Sequence, residues 1–270
     1  MFYPNKNTNK LSFYSKIFRT AEVDSTFYAF PSKGIVAGWA RYTPDGFVFS
    51  VKLPQTITHE KKLELGKGAE VDLLRFLGLI KPLIAAGKMG PLLIQLPPSF
   101  SYGNDFERLK EFLGAVPDDV RFAVEFRHPS WLREEVWSLL RSRNVANTIV
   151  DEPLLPPDTM VTADFAFVRW HGRGGRPWYN YRYSRAELAA WVPKVQEAMG
   201  KARETFGYFN NHFRGFAVEN SLQMIGMLGE STPAQDEAGA KATRVLDSGG
   251  ETSKEGSMLE YIDRGGSEPN

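Results

Sequence analysis

The chain contains no cysteine. Disulfides, thiolate nucleophiles and thiolate metal sites are therefore excluded, which fits a reducing compartment. Charge of neither sign is in excess: 33 Lys and Arg face 32 Asp and Glu, a net of +1 with His neutral. That balance gives no global attraction to nucleic acid or to an anionic membrane, so strong nonspecific nucleic-acid binding is not expected and a polyanion needs a local patch. Long hydrophobic runs are missing too. No positively charged start leads into an apolar stretch of signal-peptide length, and nowhere do about 18 apolar residues run together, so the expectation is a soluble, cytoplasmic protein. No Gly-x-Ser-x-Gly elbow surrounds Ser25 or Thr26, which argues against a serine hydrolase. Phosphate-loop and dinucleotide fingerprints are absent as well, since Gly172-Arg173-Gly174-Gly175 has the glycines without the spacing.

What is present is an ordinary globular composition, 42% hydrophobic and 13% aromatic over 270 residues, which favours one domain with a large core. Seven short apolar stretches, at 21–27, 47–52, 92–98, 122–128, 148–151, 165–171 and 206–211, each carry a charged or amide side chain where the apolar run gives out. Helical patterns separate most of them. Ile35, Trp39 and Tyr42 make one stripe, and Val71, Leu74, Leu77, Ile80 and Ile84 another; Phe106, Leu109 and Phe112 follow, then Leu188, Trp191, Val195 and Met199. Strands alternating with such helices predict an α/β fold, a TIM-like (β/α) barrel over residues 1–228 whose polar strand ends converge on the site of action. From Gly229 onward Gly, Ser, Thr, Glu and Asp dominate, and residues 229–270 read as a disordered tail.

Several motifs together resemble the YecE-like family, known as domain of unknown function 72. They are Phe2-Tyr3-Pro4, Glu22-Val23-Asp24-Ser25-Thr26-Phe27-Tyr28, Ile57-Thr58-His59-Glu60, Gln95-Leu96-Pro97-Pro98-Ser99, Glu125-Phe126-Arg127-His128-Pro129-Ser130-Trp131, His171-Gly172-Arg173 and Tyr208-Phe209-Asn210-Asn211. The resemblance runs from the start to about Leu228 and implies a (β/α)8-type barrel without implying a defined activity. Two departures stand out. Members of the family usually begin with a strand ahead of the Phe-Tyr-Pro element, and the expectation is that this first strand is missing here. Asp24 stands where the family commonly has Asn.

Strand alternation puts Glu22 with Asp24, Glu125 with Arg127, and Arg169 with His171 on shared faces. If those faces line the barrel, Glu22, Asp24, Glu125 and Asp151 oppose Lys52, Arg127 and Arg169. Two readings stay open: an ion-pair network that closes the barrel top, or an acid-base site tuned by neighbouring charges. Glu125, Asp151 and His171 are the catalytic candidates; Glu22, Lys52, Gln95, Arg127, Arg169, Arg173, Tyr181 and Asn210 are the substrate-binding ones. The four histidines, His59, His128, His171 and His212, follow strands and with Glu125 and Asp151 could ligate a divalent metal, although no local ligand spacing supports it. Residues 169–185 interleave Arg with Trp, Tyr and Gly, a composition suited either to folding over an anion or to packing on the barrel rim. Ser184 followed by Glu187 reads as a helix cap.

The leading functional expectation is a hydrolase-like barrel enzyme acting on a small anionic, phosphate-containing or nucleic-acid-derived substrate. Arg127, Arg169 and Arg173 would hold the anion, Glu125 or Asp151 would act as base, and His171 or His59 would donate a proton or bind a metal. One alternative is a sugar-directed enzyme with Glu22 and Glu125 as its carboxylates and Trp170, Trp178 and Tyr181 as platforms. Another is a non-catalytic barrel that binds a nucleotide or a partner.

Overall fold

A computed structural model describes residues 2–5, 7–175 and 179–249. Each apolar stretch supplies one strand: β1 (Thr20–Val23), β2 (Val48–Lys52), β3 (Met89–Gln95), β4 (Phe122–Glu125), β5 (Ala146–Asp151), β6 (Phe165–Trp170) and β7 (Glu204–Phe209). They form one sheet in sequence order, every neighbouring pair parallel, which curls into a nearly closed barrel. Its helices are α1 (Lys10–Tyr14), α2 (Lys33–Arg41), α3 (Ala69–Ala85), α4 (Tyr102–Ala115), α5 (Glu134–Ser142), α6 (Arg185–Lys201), α7 (Phe216–Met227) and α8 (Pro233–Asp247). No helix connects β5 to β6. No helix among the described residues is long and apolar enough to cross a membrane.

Parallel strands covered on both faces bury both sets of alternating side chains. Leu93, Ala123, Ala146, Phe165, Phe167, Phe206 and Tyr208 fill the barrel interior. The opposite parity, including Val23, Phe49, Val51, Ile94 and Val124, packs outward against the helices. Trp131 anchors this outer layer, stacked between Phe100 and Phe126 with ring centroids 5.4 and 4.8 Å away, while its indole N–H donates to the Phe100 carbonyl at 2.8 Å. That packing accounts for the Trp of the His128-Pro129-Ser130-Trp131 motif.

Two expectations need correcting. The apolar stripe predicted on α3 holds at Ile80 and partly at Leu77 but is otherwise out of phase: Leu73, Phe76, Ile80 and Leu83 are the buried face, whereas Val71, Leu74 and Ile84 are exposed. Both sets satisfy helical periodicity, and only the position of the sheet selects one. Within the tail predicted to be disordered, residues 233–247 form α8; residues 250–270 lie outside those described. A capping box joins Thr232 to Gln235, and Pro233 occupies the first turn. Gln235 donates to the Ile17 carbonyl at 2.8 Å, and Thr243 donates to Glu219 of α7 at 2.8 Å. Arg182 ties Glu219 to Asp247, 2.6 and 2.8 Å away respectively. Gly239 lies so close to α7 that an added Cβ would sit 3.3 Å from Leu222. Small residues and polar pins hold this helix, so it carries no broad apolar stripe to betray it.

Replacing Thr232 by Ala should remove about 1 kcal/mol of cap stabilisation from α8. Hydrogen exchange of the α8 amides should accelerate while the strands keep their protection.

Candidate active site

The parity that points inward delivers a polar side chain at the carboxyl end of nearly every strand. Glu22 is the penultimate residue of β1 and Asp24 follows the strand; Lys52 ends β2, Gln95 ends β3 and Glu125 ends β4. Arg169 is the penultimate residue of β6. Past the strand ends come Arg127, Glu152, His171 and Asn210. Register sets the first contact, because Gln95 pairs with Glu125 across β3 and β4, and the Gln95 amide donates to Glu125 Oε1 at 2.7 Å.

Arg169 is the hub. Its side chain is fully buried and reaches across the barrel, donating from Nη1 to Glu125 Oε2 at 2.7 Å and from Nε to Glu22 Oε1 at 3.1 Å. Nη2 also pairs with Glu22 and approaches Asp24 at 3.5 Å. Arg127 forms the second fork, pairing with both Glu125 and Glu152. His171 Nε2 lies 3.2 Å from Glu125 Oε1, while the Asn210 amide donates to Nδ1 at 3.2 Å. Arg127 Nη2 also approaches Nε2, at 3.1 Å, so that ring nitrogen lies between a guanidinium donor and the Glu125 acceptor. Lys52 is positioned by Thr26, whose hydroxyl donates to the Lys52 carbonyl at 2.6 Å. Its ammonium sits over the Phe27 ring at 4.0 Å and 3.8 Å from Asp24.

These surroundings drive the protonation states apart. Burial raises Glu22 to about 7 against the pull of Arg169, and burial raises Glu152 to about 7 against Arg127. Burial opposes ionisation of Glu125 too, but Arg127, Arg169 and His171 outweigh it and hold that carboxyl well below the usual range. Burial lowers His171 to about 4, with Arg127 and Arg169 adding to the effect, so the imidazole is neutral near pH 7. Desolvation also lowers Lys52, and burial together with the positive charges of Lys52 and Arg127 lowers His59 to about 4. Glu22 Oε2 and Glu152 Oε1 are buried without a hydrogen-bond partner.

Not every candidate joins this cluster. Asp151 has the opposite parity from Arg169's neighbours and faces the helices, where Arg173 donates to it at 2.8 Å and Trp191 of α6 at 3.1 Å. Arg173 is thereby pinned behind the barrel wall, and Tyr181 is held by Glu187 rather than by the cluster. Trp170 is buried and stacks on Phe209 at 4.4 Å, so it offers no open face, while Trp178 lies outside the described residues. His128 caps the turn at Pro129–Trp131, and His212 stacks on Tyr179 at the surface. Ser184 and Glu187 do form the expected capping box. Among the described residues no three His, Asp or Glu side chains surround a point that could take a metal ion; guanidinium groups already occupy most of the carboxylate oxygens.

Glu152, one residue beyond β5, went unrecognised in the sequence. Counting alternate positions from Ala146 through Thr148 and Val150 leads to it, but β5 is buried along its whole length and shows no alternation from which to start the count.

Replacing Arg169 by Met leaves Glu22 and Glu125 buried without their shared partner, and a loss of about 3–5 kcal/mol in urea-unfolding stability is expected. The raised carboxyls give a second expectation. For Glu152 the folded value exceeds the unfolded one, so its favourable contribution is full below about 4.5 and declines as pH rises to about 7. The stability of Glu152→Gln relative to the parent should therefore increase across that window, as read from denaturation midpoints.

A family model described as "Protein of unknown function DUF72" matches residues 1–244. The UPF0759 protein YunF of Bacillus subtilis is 28% identical over 252 residues, covering 84% of this chain and 89% of its own. The UPF0759 protein YecE of Escherichia coli K12 is 32% identical over 143 residues, about half of each chain, at 51% and 50%. Among solved structures, a DUF72 family protein of Thermotoga maritima is 34% identical with a TM-score of 0.74, covering 84% of this chain and 92% of that one. A DUF72 family protein of Enterococcus faecalis is 26% identical with a TM-score of 0.75, covering 84% and 90%.

Proposed function

Because the chain belongs to the DUF72 family, whose description names no activity, we propose from the site itself that it is a hydrolase-like enzyme working by proton transfer on an anionic, phosphate-containing or nucleic-acid-derived substrate. The observation that carries this reading is the divergence of three carboxyls within one ion-pair cluster. Glu125 stays ionised, whereas Glu22 and Glu152 titrate near neutrality. Two carboxyls poised near neutrality are each present as acid and as base at the same pH, so one can give a proton while the other takes one.

Glu125 is an organiser in this scheme. Gln95, Arg127 and His171 crowd its Oε1 and Arg169 donates to its Oε2, so both oxygens are engaged and the charge is held in place. The free oxygen of Glu152 is better placed, and a protonated Glu152 would donate to a leaving oxygen while Glu22 accepts from water. Support for an anionic substrate comes from His59 at the rim. Burial chiefly lowers its proton affinity and the charges of Lys52 and Arg127 add to the effect, which supports a positive potential beside it. A sugar-directed reaction retains a carboxylate pair, since Glu22 and Glu125 share one guanidinium, but loses the stacking face expected from Trp170.

The test is turnover of 4-nitrophenyl phosphate, bis(4-nitrophenyl) phosphate and short oligonucleotides between pH 5 and 9. Cleavage of at least one, with a profile that bends near pH 7, is expected. Glu152→Gln should lower kcat by roughly 10²–10⁴-fold while circular dichroism stays unchanged. No cleavage of any of these, or an unaffected kcat in the variant, would sink the proposal.

A further inference from the structure

Lys52 and His59 stand at the mouth of the barrel, and the acid-base scheme above uses neither as a reacting group. Both rest against one ring, that of Phe27, just past β1. The Lys52 ammonium lies 4.0 Å from its centroid, and the His59 ring meets it edge to face with centroids 4.9 Å apart. Lys52 is only 9% exposed, yet its ammonium makes no hydrogen bond among the described residues; its ionic neighbour is Asp24, at 3.8 Å. An ammonium has three N–H donors, and leaving them empty in a desolvated place costs free energy.

Strained backbone delivers His59 to this place. Residues Thr56–Glu60 make a π-helical turn, and Lys62 and Leu63 follow in the left-handed region, at φ 48° and 61°. Each such non-glycine residue costs about 1–3 kcal/mol, a strain that recurs at functional sites. Complete burial of Ile57, Thr58 and Leu63 holds the turn, and the Leu63 N–H donates to the Ile57 carbonyl at 3.0 Å. His59 Nδ1 lies 2.9 Å from the Thr58 hydroxyl, whose own hydrogen can meet the Pro54 carbonyl at 3.4 Å. With Nδ1–H donating to Thr58, Nε2 carries a lone pair, and no side chain among the described residues hydrogen-bonds to it. Burial, with the charges of Lys52 and Arg127 adding to it, lowers the imidazole to about 4, so the ring is neutral near pH 7.

An imidazole fixed through one nitrogen and open at the other, beside an ammonium with unused donors, is a nucleophile next to a holder of negative oxygen. A phosphate monoester brings the charge that Lys52 lacks at close range, whereas a neutral ester or amide brings none. We propose that His59 Nε2 is a phosphoryl acceptor, taking the group from a phosphate monoester while Lys52 holds its non-bridging oxygens. The inference rests on the hydrolase reading for its substrate class, and it divides that hydrolysis into two displacements. In the first, the Nε2 lone pair attacks phosphorus, the P–N bond forms, and the P–O bond to the alcohol breaks as the leaving oxygen takes a proton from Glu152. In the second, water attacks phosphorus and gives a proton to Glu22; the P–N pair returns to Nε2 and inorganic phosphate leaves. Thr58 is a positioning residue in this scheme, since it acts only through His59.

The full chain turns over phenyl phosphate and 4-nitrophenyl phosphate in parallel, with glycerol present as a competing acceptor. Both esters should give the same ratio of glycerol phosphate to inorganic phosphate, because both pass through one phosphorylated chain. Quenched in alkali, that chain should carry an acid-labile phosphoryl group on the peptide containing His59. His59→Ala should lose label and turnover together, and added imidazole should restore turnover without label, a rescue that a structural role would not give. Lys52→Met should slow turnover of both esters while circular dichroism stays unchanged. Ratios that differ between the esters, label on another residue, or His59→Ala working at the parent rate each overturn the proposal, and the last of these leaves the hydrolase reading standing. If neither ester is turned over, that reading falls and phosphoramidate, which phosphorylates imidazole without any ester, decides this one: label on His59 upholds it and an unlabelled chain overturns it.

Discussion

A single buried guanidinium holds the carboxyl ends of three strands together. Arg169 rises from β6, meets Glu125 from β4, and crosses to Glu22 from β1. The last of these contacts spans the place where the barrel is not closed by backbone pairing, so the ion pair does part of the work that a hydrogen-bonded ladder does elsewhere. Its energetic character follows from its surroundings. Charges removed from water gain from each other only when geometry and hydrogen bonding are complete, and removal of one partner strands the rest.

The same hub determines what chemistry the mouth can support. Burial is the main reason Glu22 and Glu152 resist ionising, and by committing Glu125 to the ionised state Arg169 and Arg127 add a fixed negative charge beside them. His171 is kept neutral by burial and by the two cations, and Asn210 fixes its orientation. Proton affinity in this pocket is thus a property of the network and not of any residue alone.

A second polar layer stands behind the first. Asp151, Arg173, Trp191, Tyr181 and Glu187 are linked between the barrel wall and α6, where they seat the segment leading into that helix. Strand parity separates the two layers. Neighbours in sequence, Asp151 and Glu152, end on opposite sides of one wall, the first joined to helix residues and the second to Arg127.

The architecture was legible in the amino-acid order: seven apolar stretches became seven parallel strands, and Glu22, Lys52, Gln95, Glu125, Arg127, Arg169, His171 and Asn210 all reached one end of the barrel. Short-range regularity suffices for this, because strand ends in a parallel barrel share one side whatever the details of packing. Which face a fully buried strand turns inward was not legible, so the sequence pointed to Asp151 and gave no sign of Glu152. Nor was the helical phase of α3, where two stripes compete, or the existence of α8, held by small residues and polar pins. Those outcomes depend on what lies across the gap from each side chain, and sequence distance carries no measure of that. Local pattern decided where each polar residue stands along the barrel axis; only tertiary packing decided which side of the wall it faces, which neighbour neutralises it, and where the wall is left open.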